Sequence, residues 1–157
     1  MLRCAIPTAA PRRSRLAWTA VTHVGSTGPA VVAAAVPWFQ CCAWHAAGQL
    51  GLTTLVVSHL IVQIIKRTVV RRRPCEFGIR AAVAEPDRFS FPSGHAAASM
   101  SVALGYSVTF PLLAPPLLVL ALLVGFSRVR LGVHFPGDVL AGQLIALLTA
   151  GCLLAVP

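Results

Sequence analysis

Phe89 to Ser127 reads FSFPSGHAAASMSVALGYSVTFPLLAPPLLVLALLVGFS and contains no Asp, Glu, Lys or Arg. Leu16 to Ile65 is equally uncharged, and Asp138 is the one charged residue between Leu131 and Pro157. An uncharged apolar run of about 20 residues is long enough to cross a bilayer as a helix. Apolar residues make up 57% of the 157 and charged residues 11%, far from the balance of a soluble domain. These tracts predict an all-α, multi-pass transmembrane bundle folded as one domain over 1–157. It is expected to have about five spans and a short N-terminal interfacial helix.

The polar residues collect in islands between the oily tracts: Lys66 to Pro74 (KRTVVRRRP), Phe91 to His95 (FPSGH) and Ser127 to Asp138 (SRVRLGVHFPGD). Lys66 to His95 and Ser127 to Asp138 hold all four acidic residues and every Lys and Arg except Arg3, Arg12, Arg13 and Arg15. The net charge of +9 fits cations placed at span ends. No aromatic-interleaved basic surface or helix-turn-helix pattern points to nucleic acid.

Spans are expected at Pro29 to Ala46 (bent at Pro37), Gln49 to Ile65, Ser93 to Phe110, Leu117 to Phe126, and Phe135 to Val156. Residues 1–15 form a basic, Pro/Arg-rich tail. Arg15 to His23 forms the interfacial helix, stopped by Gly25 to Gly28, with Trp18, Trp38 and Trp44 at headgroup level. No compact apolar region with a cleavage site follows the first arginines, so no removable signal peptide is expected. Pro111, Pro115 and Pro116 force a turn. With short connections, Lys66, Ser93, Arg128 and His134 fall on one side of the membrane, the side of the N-terminus. The tail arginines weigh for a cytoplasmic side, but both orientations stay open. The five cysteines show no metal-ligand spacing and no disulfide framework; Cys41, Cys42 and Cys152 read as small packing residues, and Cys75 as structural.

Lys66 and Arg73 are seven apart, sharing one helix face if that helix runs on to Pro74; Arg67, Arg71 and Arg72 read as headgroup-facing cations. Ser93 is a suitable N-cap, and Gly94 leaves the backbone open to a ligand at a helix N-terminus, where anions bind well. His95 opens an apolar helix. His134 and Asp138 lie one turn apart, so the carboxylate can fix the imidazole tautomer and leave its other nitrogen as base or nucleophile. With four scattered acids, a two-metal phosphatase is poorly provided for. There is no zinc spacing and no G-x-S-x-G elbow. What remains suits a multiply charged oxyanion attacked by an imidazole.

The order Lys66–x6–Arg73-Pro74, Pro92-Ser93-Gly94-His95, Ser127-Arg128–x5–His134–x3–Asp138 resembles the three-part signature of the type 2 phosphatidic acid phosphatase superfamily. That group includes lipid phosphate phosphatases, bacterial acid phosphatases and vanadium haloperoxidases. The resemblance places the catalytic half at 66–138 and implies His134 as nucleophile, Asp138 as its orienting carboxylate and His95 as general acid. Lys66, Arg73, Ser93, the Gly94 amide and Arg128 would bind the phosphoryl oxygens, with no metal and no cofactor. Membrane embedding implies a lipid-linked phosphate as substrate and a place in the inner cell membrane. Family members in membranes usually have three spans before the first motif; this chain has room for two and a short helix. A non-catalytic transport component or scaffold is the alternative, and the His95, His134 and Asp138 set speaks against it.

Overall fold

The computed structural model describes residues 12–40, 42–78, 81–83 and 87–155, and every regular element among them is helical. The helices are α1 (Arg12–Val24), α2 (Thr27–Ala35), α3 (Ala43–Val69), α4 (Gly94–Thr109), α5 (Ala114–Arg130) and α6 (Pro136–Ala155). Short 3₁₀ turns cover Val36–Phe39, Pro74–Phe77 and Pro111–Leu113. The N-terminal tail lies outside the described residues, apart from the start of α1.

Among the described residues, three segments are long and apolar enough to cross a membrane: Ala43–Phe77, Pro111–Arg130 and Pro136–Ala155. At about 1.5 Å per residue the two shorter ones reach about 30 Å, the thickness of the hydrocarbon core. The expected first span divides differently. Pro37 ends α2 in a 3₁₀ turn, so the apolar segment Thr27–Phe39 reaches only about 20 Å. The residues from Ala43 onward join α3, which runs 27 residues. Trp44 packs on Tyr106 and Phe110, and Trp38 on His45, at the end where α3 begins.

α4 occupies the middle of the bundle, packed against α2, α3, α5 and α6. Its buried residues are Ala96, Ala97, Ala98, Met100, Ser101, Ala103 and Gly105, nearly all small. Between membrane helices small residues let backbones approach, since apolar burial gives no net drive in lipid. α3 and α4 come close at Gly105, where an added Cβ would stand 2.5 Å from the Gly51 backbone and 2.8 Å from the Ala47 carbonyl. Hydrogen bonds fasten the same helices: Ser58 Oγ to Ser101 Oγ at 3.0 Å, and Tyr106 Oη donating to the Ala33 carbonyl at 2.7 Å. The large aliphatics turn outward, among them Leu122, Leu123, Leu140, Leu144 and Leu147, as a lipid-facing surface requires.

α1 lies against α5 with Trp18 edge-on to Phe126 at 5.5 Å. Cys42 and Cys152 are free and exposed, so neither is a packing residue, and Cys41 lies outside the described residues. Cys75 is disulfide-bonded, a link the cysteine spacing did not show.

Gly105→Leu is expected to destabilise the protein by about 1–3 kcal/mol, the usual cost of overpacking, because the new side chain meets backbone. A melting temperature of the purified protein in detergent, unchanged from wild type, would contradict this crossing.

Candidate active site

The buried stripe of α3 runs Ala47, Gly51, Leu55, Ser58, Val62, Lys66. Steps of three and four residues keep one helix face inward, and the last step carries an ammonium group into the protein. α3 then stops, because Val70 adopts a left-handed backbone at φ 50°. The helix therefore does not continue to Pro74, and Lys66 and Arg73 do not share a helix face. Arg73 precedes a proline, which disfavours helix there, and it is extended, with ψ 156°. The two cations meet instead through Asp87. Lys66 Nζ donates to one carboxylate oxygen at 2.7 Å and Arg73 Nη2 to the other at 2.7 Å. Burial alone would raise the Asp87 pKa, but hydrogen bonds and charge from Lys66 and Arg73 outweigh it and hold the carboxyl below its usual value. Arg73 Nε donates to the Asp87 carbonyl at 3.2 Å, and Nη1 to the Val133 carbonyl at 2.9 Å.

From Val133 the geometry passes to the imidazole. His134 Nε2 lies 3.5 Å from Arg73 Nη1, and Nδ1 faces Asp138 Oδ2 at 3.6 Å. The chain reverses between α5 and α6 at Gly132, with φ 70°, a backbone region glycine enters at little cost. The Arg128 carbonyl accepts from the amides of Val133 and His134 at 3.2 and 3.4 Å, so α5 sets the height of the imidazole. The Arg128 side chain donates through Nη1 to Thr22 Oγ1 of α1 at 2.6 Å. Lys66, Arg73, Arg128 and Asp138 are 4%, 5%, 1% and 0% exposed. Charges so far from water are held by partners.

Asp138 collects partners from three chain segments. Its Oδ2 accepts from the Ser90 hydroxyl and, at 2.8 Å, from the Phe135 amide; its Oδ1 accepts from Arg71 Nη1 at 2.8 Å. The Asp138 carbonyl takes the Ser93 amide at 2.9 Å, joining α6 to the start of α4. Gly142, one turn on, makes room: a Cβ there would collide with the Ser93 carbonyl. Ser93 occupies the N-cap position but makes no side-chain cap. Its hydroxyl is buried without a hydrogen-bond partner among the described residues. Gly94 and His95 follow in the first turn of α4, both partly exposed.

All eight residues singled out from the sequence thus lie at one end of the bundle, where α3 and α5 finish and α4 and α6 begin. Four others belong with them: Asp87, Ser90, Thr22 and Arg71. Arg71 is no plain headgroup anchor, since it pairs with Asp138 and its guanidinium lies 4.6 Å from the Phe135 ring centre. Arg72, reaching Glu76 at 3.7 Å from an exposed position, keeps the surface role. Ser90 stood in plain view three residues before Ser93. The spacing of neither Arg71 nor Ser90 marked it as a partner of Asp138.

The family model of the PAP2 superfamily matches residues 47–157. The chain belongs to this superfamily. Among PAP2 relatives, the decaprenylphosphoryl-5-phosphoribose phosphatase of Mycolicibacterium smegmatis is 37% identical over 128 residues, covering 78% of this chain and 68% of that one. Phosphatidylglycerophosphatase B of Bacillus subtilis is 35% identical over 148 residues, covering 83% of this chain and 68% of that one. A solved transmembrane PAP2-type phosphatidylglycerolphosphate phosphatase from Bacillus subtilis superposes with a TM-score of 0.72 at 28% identity, over 95% of this chain and 81% of its own. Phosphatases of lipid phosphate esters are the class these PAP2 proteins share, and this membrane protein falls within it.

Arg71→Ala and Ser90→Ala each remove one donor from a buried carboxylate. A hydrogen bond to a charged group contributes about 1.5–3 kcal/mol, so kcat for phosphate release is expected to fall about tenfold or more, with KM little changed. Steady-state kinetics returning wild-type kcat for both variants would remove them from the site.

Proposed function

We propose that the chain is an integral-membrane, metal-independent phosphatase of the cell membrane that removes the terminal phosphate of a lipid-linked substrate through a phosphohistidine. The observation that carries this is the setting of one imidazole. His134 has a carboxylate at Nδ1 and an arginine at Nε2, so the lone pair that would attack phosphorus opens toward buried cations. Anchoring charges in a transport component or scaffold need no such pair.

In this reading Lys66, Arg73 and Arg128 neutralise the phosphoryl oxygens, together with the Ser93 hydroxyl and the α4 amides beginning at Gly94. Phosphoryl transfer depends chiefly on positioning and on stabilising charge at the equatorial oxygens. His134 Nε2 attacks phosphorus, the bond to the lipid oxygen breaks, and His95 supplies the proton that oxygen takes. Asp138 stabilises the positive charge arising on the ring. Water then cleaves the P–N bond, His95 accepts its proton, and inorganic phosphate leaves.

A lipid substrate is supported by a cavity of about 300 Å³ among the helices. It is walled by α2, α4 and α5, with Ala33, Val102, Tyr106 and Leu117 along its length. Ser99 and Val124 line it too, each one turn from His95 and Arg128 respectively. From Leu113, in the turn before α5, to Val124 it follows about 16 Å of the chain, about half the hydrocarbon core, enough to seat a chain whose phosphate lies at the site. The names of the two enzymes compared by sequence above offer two substrate chemistries, a prenyl-phospho-sugar phosphate and a glycerophospholipid phosphate, and the pocket's cations serve either.

Purified protein is expected to release phosphate from a long-chain lipid phosphate in the presence of a chelator, and to be inhibited by orthovanadate. His134→Ala should lose activity by about 10³-fold or more, as nucleophile removal does, together with an acid-labile phosphoryl label on the wild type. Full turnover in that variant would end the assignment. Ala33→Phe, which fills the cavity, should raise KM for the long-chain lipid and spare a short water-soluble phosphate ester. Equal loss on both substrates would argue against the cavity as a chain site.

A further inference from the structure

Lys66 and Arg73 are buried, and the anion that holds them is not. Asp87 is 39% exposed, against 5% and 6% for the side chains it pairs with. All three guanidinium nitrogens of Arg73 already donate to protein: Nε to the Asp87 carbonyl, Nη2 to the Asp87 carboxylate, and Nη1 to the Val133 carbonyl. Lys66 Nζ is shared between Asp87 Oδ2 and the Phe89 carbonyl at 3.4 Å. An anion arriving at these cations therefore meets a carboxylate already seated between them.

We propose that Asp87 is an internal counter-anion of the substrate-free enzyme, displaced from Lys66 and Arg73 by the incoming phosphoryl group and restored when inorganic phosphate departs. This rests on the reading above that those two cations bind phosphoryl oxygens. Two buried cations with no anion between them are costly, so the resting enzyme requires a negative group there. A second anion beside the first is equally unfavourable, so phosphate and carboxylate compete. The asymmetry of exposure decides which partner moves. Lys66 and Arg73 are enclosed, whereas the carboxylate has solvent on its open side and regains hydration when released. The carboxyl stays ionised at neutral pH because both cations hold its pKa down. Every phosphoryl species then binds with its intrinsic affinity reduced by the fraction of sites in which Asp87 is disengaged. Product phosphate, with no hydrocarbon chain to retain it, is the species this competition expels most effectively.

The experiment compares wild type, Asp87→Asn and Asp87→Glu as purified, folded proteins, with inorganic phosphate and orthovanadate as competitive inhibitors of lipid phosphate hydrolysis. Removing the internal charge in Asp87→Asn is expected to lower Ki for both anions about tenfold, the change for a competent fraction of about one tenth. Asp87→Glu keeps the charge and should return Ki close to wild type. If Asp87 only positions Lys66 and Arg73, its loss weakens anion binding, so a Ki unchanged or raised in Asp87→Asn overturns the proposal. A structure of wild-type protein with orthovanadate bound tests the point without a variant. The carboxylate should have left Lys66 Nζ by more than about 4 Å, the limit of an ion pair, and its retention at the present distance overturns the proposal. Failure of both anions to inhibit wild type would instead bring down the reading that Lys66 and Arg73 bind phosphoryl oxygens, and the role of Asp87 with it.

Discussion

Asp138 has no contact with water, yet its charge organises everything around it. Its carboxylate is held by Ser90 from the segment before α4, by the Phe135 amide of its own turn and by Arg71 from the segment after α3. Its backbone carbonyl holds Ser93 at the head of α4. A buried carboxylate left without donors is strongly unfavourable. The same set of bonds that satisfies it therefore fixes the mutual position of three chain segments far apart in sequence. His134, one turn earlier, takes its setting from this assembly.

The bundle supplies a frame stiff enough for that arrangement to persist. α4 is lined with alanine, serine and glycine, so it sits close to α3 and α6. The approach of Gly142 to the Ser93 carbonyl brings the two helix ends nearer than any side chain would allow. α1 adds a contact from outside the helices that carry the signature: Thr22 accepts from Arg128. A short helix packed on α5 is in this way part of how a site cation is held.

Much of this was legible in the sequence because lipid imposes so few solutions. Uncharged tracts gave the helices, and the grouping of charges at their ends gave the side on which a site could form. α4 and α6 fall close to where the prolines and islands place them, whereas α5 takes Pro115 and Pro116 into its first turn and runs on through Ser127 and Arg128 to Arg130. The reading failed where local spacing was asked to stand for three-dimensional contact. Lys66 and Arg73 do come together, but through a left-handed turn at Val70 and a shared carboxylate, not along one helix. Arg71 looked like a surface cation because its partner lies 67 positions away. Ser93 has the identity of an N-cap, yet its hydroxyl does not close the helix. The first span reads as one helix bent at Pro37, whereas the 3₁₀ turn there ends the helix and the last residues of that span belong to α3.

The meeting of α3 and α4 at Gly51 and Gly105 has a consequence for how this protein can change over time. The separation of Lys66 and Ser93 is governed by backbone resting on backbone, well below the chemistry, and no side-chain volume enters that contact. Leucines and valines on the outer surface can be traded freely for one another without shifting the reacting groups. Freedom to vary on the lipid side and constraint at the polar end are then two results of one pivot.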